Sequence, residues 1–342
     1  MSHMKTKVMS ALLTFVMVFV TIFTILQTFF DNSIKIYIGY QSVTSQTWTA
    51  LIVKNKNIFE EKLKRAFPNQ KYKVVWSDEI SGAVINTAMI SGKCHFGFMG
   101  DMPCLLNMNK SIELEAFESA LLCFTGKGEG GKNQSIVVPK DSNIKTVYDL
   151  KGKKVSVPIG SSAHYMLLSV LDKYGITDDV EIVHQDIGLA SQMLNTNKSD
   201  AFAIWAPYPN FLEELDQGRI LIDGAESQKD YLAGVMVHKG WANENKEIVK
   251  LFMESLQEAQ QFIKGNPNEA AKIFSKESGF DLKIAKKEVY SIEWVASTSQ
   301  DDLMSLEDKL KFLIDNKNIK NKFDITKFVY SFDEEVWHGK DF

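Results

Sequence analysis

The run Gly160-Ser161-Ser162-Ala163-His164-Tyr165 follows a strand-like segment and opens a helical pattern whose apolar face is Leu167, Leu168 and Leu171. A helix leaves the N–H groups of its first turn without intrahelical partners, and together with the positive dipole end they favour an anion. Ser161 and Ser162 can add hydroxyl donors, or one of them can simply cap the helix. His164 can donate to a ligand oxygen or lie on the helix surface. Gln41-Ser42, Gly100-Asp101 and Trp205-Ala206-Pro207-Tyr208 each end a strand-like run, and open α/β sheets hold their ligands at that end of their strands. Asp101 reads equally well as a helix cap, and Trp48 and Trp205, taken singly, as core.

Other chemistry is excluded or weak. Gly126-Lys127-Gly128-Glu129-Gly130-Gly131-Lys132-Asn133 imitates a phosphate-binding loop. It places Asn133 where a magnesium-holding hydroxyl belongs, and a strand follows where a helix should begin. A glycine-rich connection between two lobes accounts for it better. Cys94, His95 and Cys104 have no second ligand pair at zinc spacing, so no metal and no cofactor are expected. The three cysteines are odd in number and close in sequence, which argues against a disulfide framework. G-x-S-x-G, H-E-x-x-H and C-x-x-C are missing and the six histidines are dispersed, so no nucleophile or base can be named, although a triad can assemble from distant positions.

The elements that must position these residues alternate between strand and helix. The first series reads as strand Ile34 to Tyr40, helices from Trp48 to Phe67, strand Tyr72 to Trp76, helix Gly82 to Ser91 and strand His95 to Met99. The second reads as strand Ser135 to Pro139, a short helix at Thr146 to Leu150, strand Lys154 to Pro158, helix Ser161 to Tyr174, strand Val180 to Val183, helix Leu189 to Asn197 and strand Ala201 to Trp205. Such alternation signifies βαβ units and a mainly parallel sheet. The two series share a shape, since Lys35 to Tyr40 and Lys154 to Gly160 each lead through a turn into a helix. Two α/β lobes are therefore expected, residues 32–128 with 236–342 forming one and 129–235 the other. From Asn243 onward the spacing of Val249, Phe252, Met253, Leu256, Ala259 and Phe262 is helical.

With 342 residues, 45% of them hydrophobic, the chain is long enough for two cores. A formal net charge of −4 gives no reason to expect a nucleic-acid partner. Arg65 and Arg219 are the only arginines, which restricts forked recognition of an anion. Val8 to Phe30 is an uncharged apolar run preceded by Lys5 and Lys7, long enough to cross a bilayer. The flanking lysines place its N-terminal end in the cytoplasm and the rest of the chain outside. Bulky residues at Gln27 to Phe30 favour an uncleaved anchor over a cleaved signal.

With these residues in view, the chain resembles the binding proteins of ABC importers for alkanesulfonates, taurine and nitrate, a family that includes thiamine-precursor binding proteins. The blocks that carry the likeness are Ile38 to Gln41, Ala88 to Gly92 with Phe96 to Asp101, Ile136 to Ser142, Asp149 to Val155 and Gly160 to Tyr165. The resemblance implies a two-lobed type II periplasmic-binding fold with two crossover strands. It implies ligand contacts at Gln41, Ser81-Gly82, Gly100-Asp101, Ser161-Ser162, His164 and Trp205. Strand-end placement adds Ser42 and Tyr208, and aromatic contact with the apolar part of a ligand adds Trp48. The implied partners are a small ligand, a two-subunit permease and its cytoplasmic ATPase, with the membrane engaged through the N-terminal helix. An enzyme on the same fold and a pyrimidine-binding protein are the alternatives.

Overall fold

A computed structural model describes residues 32–187 and 199–332. The apolar run Val8 to Phe30 and the expected helix Leu189 to Asn197 lie outside the described residues. No helix among the described residues is long and apolar enough to cross a membrane.

Eleven strands among the described residues form two sheets. The first holds β1 (Ile34–Tyr40), β2 (Tyr72–Asp78), β3 (Phe96–Gly100), β4 (Ser119–Gly128), β10 (Tyr231–His238) and β11 (Glu293–Ser297) in the order β11-β4-β10-β3-β1-β2. The second holds β5 (Gln134–Pro139), β6 (Lys154–Val157), β7 (Glu181–His184), β8 (Ala201–Trp205) and β9 (Gly218–Asp223) in the order β7-β6-β8-β5-β9. The shared shape read from the sequence is present in this topology. In one sheet β1 lies parallel between β2 and β3, and in the other β6 lies parallel between β7 and β8.

The expectation of mainly parallel sheets is corrected: both are mixed. β10 runs antiparallel to β3 and β4, β11 antiparallel to β4, and β5 antiparallel to β8 and β9. The cause is the double passage of the chain between the sheets, through β4 into β5 and through β9 into β10, which lays the returning strands against the βαβ cores in reverse. β4, β9, β10 and β11 escape the sequence reading. β4 is buried along almost its whole length, so its apolar residues show no alternation to reveal a strand.

The first sheet carries α1 (Thr49–Asn55), α2 (Ile58–Ala66), α3 (Gly82–Ile90) and α4 (Asp101–Glu113). The later helices α7 (Lys239–Glu244), α8 (Lys246–Gly265), α9 (Pro267–Ser278), α10 (Leu282–Ser291) and α11 (Gln300–Asp315) return to this body. The second sheet carries α5 (Ser162–Lys173) and α6 (Tyr208–Glu214). α8 follows the expected periodicity, burying Val249, Phe252, Met253, Leu256 and Ala259. Phe252 packs tilted against Phe96 at 4.1 Å and edge-on against Phe59 at 4.9 Å between ring centroids.

Cys94, Cys104 and Cys123 are free and buried. Burial pushes the Cys94 thiol up to about 12 and raises those of Cys104 and Cys123 strongly. The thiolate is the reactive form, so the folded chain is expected to leave all three unmodified by a maleimide that labels them readily in denaturant. Rapid labelling of any one under native conditions would contradict this packing. His95 accepts a hydrogen bond from Tyr37 N through Nδ1 and stacks on Trp241 at 4.3 Å, and burial lowers its pKa to about 4.

Candidate functional site

The two bodies meet where the carboxyl ends of β1, β3 and β8 converge with the start of α5. Among the contacts that join them are three polar sets, drawn from strand ends, helix starts and the helices α10 and α11.

The first set lies at Asp101, the first residue of α4, which is fully buried. Its Oδ1 accepts from Met102 N at 2.8 Å and from Ser162 Oγ, in the other body, at 2.5 Å. Its Oδ2 accepts from Leu232 N at 2.9 Å and faces Lys309 Nζ at 3.4 Å. Lys309, on α11, is 1% exposed and donates to Ser305 Oγ at 2.7 Å. The carboxylate thus neither merely caps a helix nor stands open; it is saturated by protein donors and ties the two bodies together. Gly100 is adjacent, and a Cβ there would press on Ser162 Oγ at 3.3 Å.

The second set is central. Trp205, 7% exposed at the end of β8, donates through Nε1 to Thr44 Oγ1 at 2.9 Å. Ser45 N donates to Ala206 O at 3.1 Å. The loop after β1 is held in shape by its own polar groups. Gln41 Nε2 donates to Phe98 O at 3.1 Å, Thr47 Oγ1 to Gln41 O at 2.8 Å, and Ser42 N to Asp78 Oδ1 at 2.8 Å. Gln46 is fully buried, and its Nε2 has no hydrogen-bond partner among the described residues.

The third set joins α6 to α10. Asn210 Nδ2 donates to Glu288 Oε1 at 2.8 Å, Ser45 Oγ donates to Glu288 Oε2 at 3.1 Å, and Lys283 pairs with Glu214 at 2.7 Å. Tyr208, half-buried, packs against Phe280 at 5.6 Å.

At the start of α5, Ser161 is the N-cap and its Oγ accepts from His164 N at 3.3 Å. The Ser162 hydroxyl is engaged by Asp101, so both serine hydroxyls are occupied in this arrangement. The N–H groups of Ser162 and Ala163 remain without intrahelical bonds, as at any helix start. They supply the dipole end that an anion would meet. His164 is 7% exposed, accepts from Gly160 N at 3.4 Å and meets the Phe312 ring edge-on at 5.6 Å. Burial lowers its pKa, which keeps the imidazole uncharged near neutrality.

Of the residues singled out in the sequence, the structure brings together Gln41, Ser42, Gly100, Asp101, Ser161, Ser162, His164, Trp205 and Tyr208 around this junction. Trp48 is not among them: it is fully buried, packs on Phe274 at 5.1 Å, and spends its Nε1 donor on Ser42 O. Gly82 lies where α3 crosses α4, and a Cβ there would sit 2.6 Å from Pro103. Ser81 precedes it as the N-cap of α3. Sequence reasoning missed Lys309, Glu288 and Asn210. Each sits in a helical pattern as one more polar residue, and nothing local distinguishes it from a solvated one. A surface groove of about 560 Å³ between Ser111, Lys239 and Lys322 to Phe328 lies apart from the junction.

Two sheets joined by two crossovers, with strand ends and a helix start facing one another across the seam, define the fold of the two-lobed periplasmic binding proteins. The chain superposes with a TM-score of 0.71 on the alkanesulfonate-binding protein SsuA from Xanthomonas axonopodis pv. citri, at 22% identity, covering 86% of this chain and 98% of that one. A family model described as NMT1/THI5 like matches residues 129–270. The taurine-binding periplasmic protein of Escherichia coli (strain K12) is 31% identical over 199 residues, 57% of this chain and 59% of that protein. A protein of Bacillus subtilis (strain 168), provisionally named as aliphatic sulfonates-binding, is 27% identical over 298 residues, 86% of this chain and 85% of its own length. The desulfurization enzyme DSZB is also similar in fold, with a TM-score of 0.62 at 15% identity, over 86% of this chain and 96% of that one.

Proposed function

We propose that this chain is the extracytoplasmic binding component of an ABC importer, capturing a small anionic solute of the sulfonate or taurine kind between its two lobes. The single observation that carries the reading is the meeting, at one seam, of the α5 start with the loops after β1, β3 and β8. Relatives named for taurine and aliphatic sulfonates, aligned over 57% and 86% of this chain, support the ligand class. The lobes, 32–128 with 236–342 and 129–235, close as bodies about the two crossovers. The solute's charged head meets the Ser162 and Ala163 N–H groups, with Gln41, Ser42, Gly100, His164 and Tyr208 around it and Trp205 covering its apolar part. Val8 to Phe30 would hold the protein at the outer face of the membrane, beside a permease coupled to a cytoplasmic ATPase.

Capture rather than turnover is the assigned role. The buried thiols are held protonated, and Asp101 has its oxygens filled, so neither stands ready to attack a substrate.

Calorimetry against taurine, short alkanesulfonates, nitrate and pyrimidines tests the proposal. At least one anion is expected to bind with a Kd of roughly 10 μM or tighter, equivalent to about −7 kcal/mol or better, with Trp205→Ala weakening it at least tenfold. No saturable binding by any of them, or steady turnover of one that binds, would overturn it.

A further inference from the structure

We propose that Glu288 couples closure of the two lobes to the uptake of one proton, so that the shut arrangement is favoured by acid. Glu288 occupies the last turn of α10 and is 0% exposed. Its two oxygens are held from different bodies, one by Ser45 Oγ in the loop after β1 and the other by Asn210 Nδ2 in α6. The carboxyl is therefore a bridge across the seam and not an internal feature of either lobe.

Among the described residues no cation pairs with it directly, and Lys287 acts on it only from a distance. On its own helix, Lys287 directs Nζ to Asn210 Oδ1 at 3.1 Å and Lys283 is engaged by Glu214. From α6, the charged groups are Glu213 and Glu214, neither of them cationic. The short helical turn Ser45–Thr47 carries no titratable group. From α9, Glu277 is taken by Lys54 and Asn55, and Lys276 lies beside it in the chain. From β11, Glu293 is exposed. The carbonyl end of α10 adds a dipole that disfavours an anion there. Burial accordingly raises the Glu288 carboxyl from the usual 4.5 to about 7, against the smaller opposing effects of Asn210, Ser45 and Lys287.

The sign follows from linkage. Opening withdraws Asn210 and admits water, returning the carboxyl to its ordinary range. Between 4.5 and about 7 the shut form then holds one proton more than the open form. Closure is most favoured below that window, weakens about tenfold per pH unit as pH rises through it, and levels off above about 7. The full span is a factor of about 300 in the closure equilibrium.

The test needs no ligand, so its failure is distinct from failure of the proposed ligand class. Small-angle scattering of the full chain from pH 5 to 8.5 is expected to show expansion with rising pH. Glu288→Gln, which keeps the shape of the neutral acid and, like it, accepts from Asn210 through its carbonyl oxygen and donates to Ser45 Oγ, is expected to stay compact throughout. Infrared difference spectra at pH 6 are expected to show a protonated carboxyl band in the native chain that Glu288→Gln removes. A band already absent at pH 6, or the same pH response in both proteins, would overturn the proposal.

Discussion

Replacing Lys309 by methionine is expected to lower the free energy of unfolding by about 3–5 kcal/mol, the usual cost of leaving one member of a buried ion pair without its partner. Lys309 and Asp101 are 1% and 0% exposed. The Asp101 carboxylate would retain Met102 N, Leu232 N and Ser162 Oγ, but no cation. Changing Asp101 to asparagine in the Lys309→Met background removes the stranded charge but turns an amide N–H toward one of the former donors, so the double variant is expected to recover part of the loss. Urea unfolding of the four proteins checks this. Strictly additive losses would show that the pair is not a unit. The same variants carry a functional signature, because Asp101 also holds Ser162 across the seam and its loss loosens closure.

Gly131→Ala is expected to cost on the order of 3 kcal/mol and to impair closure at the same time. Gly131 has φ of +103°, a conformation that costs a residue with a side chain about 1–3 kcal/mol. A Cβ there would also lie 2.3 Å from Gly224 O and 2.5 Å from Ser227 Oγ. Gly224 is the reciprocal partner, its own Cβ position lying 2.3 Å from Gly131 O. The two crossovers between the lobes thus touch back to back through a pair of glycines, and a methyl group forces them apart. Gly130, one residue earlier, has φ of +65° but nothing within 4 Å of its Cβ position. Gly130→Ala is expected to cost less, about 1 kcal/mol, and it separates conformational strain from collision. Equal effects at the two positions, measured as unfolding midpoints, would argue against this account of the crossover.

These glycines show how much was legible in advance. The run Gly126 to Asn133 imitates a phosphate loop, yet its position between two βαβ series marks it as a connection. The structure adds that its first part, through Gly128, is still strand. Strand ends at Tyr40, Gly100 and Trp205 and the helix start at Ser162 were readable because periodicity and turn residues are local signals. What local signals cannot carry is which distant residues meet. The Ser162 hydroxyl reads as cap or ligand donor until Asp101, 61 positions away, is seen to accept from it. Trp48 and Trp205 look alike in sequence. One is sealed under Phe274 and the other reaches across to Thr44, and only the folding of the chain back from α8 to α11 decides between them. The mixed sheets were hidden for the same reason, since the direction of β10 and β11 depends on partners far away in the chain.

The most direct test of the central claim, that the seam between the two sheets is where a small solute is held, is amide and indole resonance mapping during titration with taurine and short alkanesulfonates. Saturable shifts are expected to concentrate at Gln41 to Thr47, at Ser161 to Tyr165 and at the Trp205 indole N–H. Shifts confined to the groove between Ser111 and Phe328, or the absence of any saturable response, would contradict it.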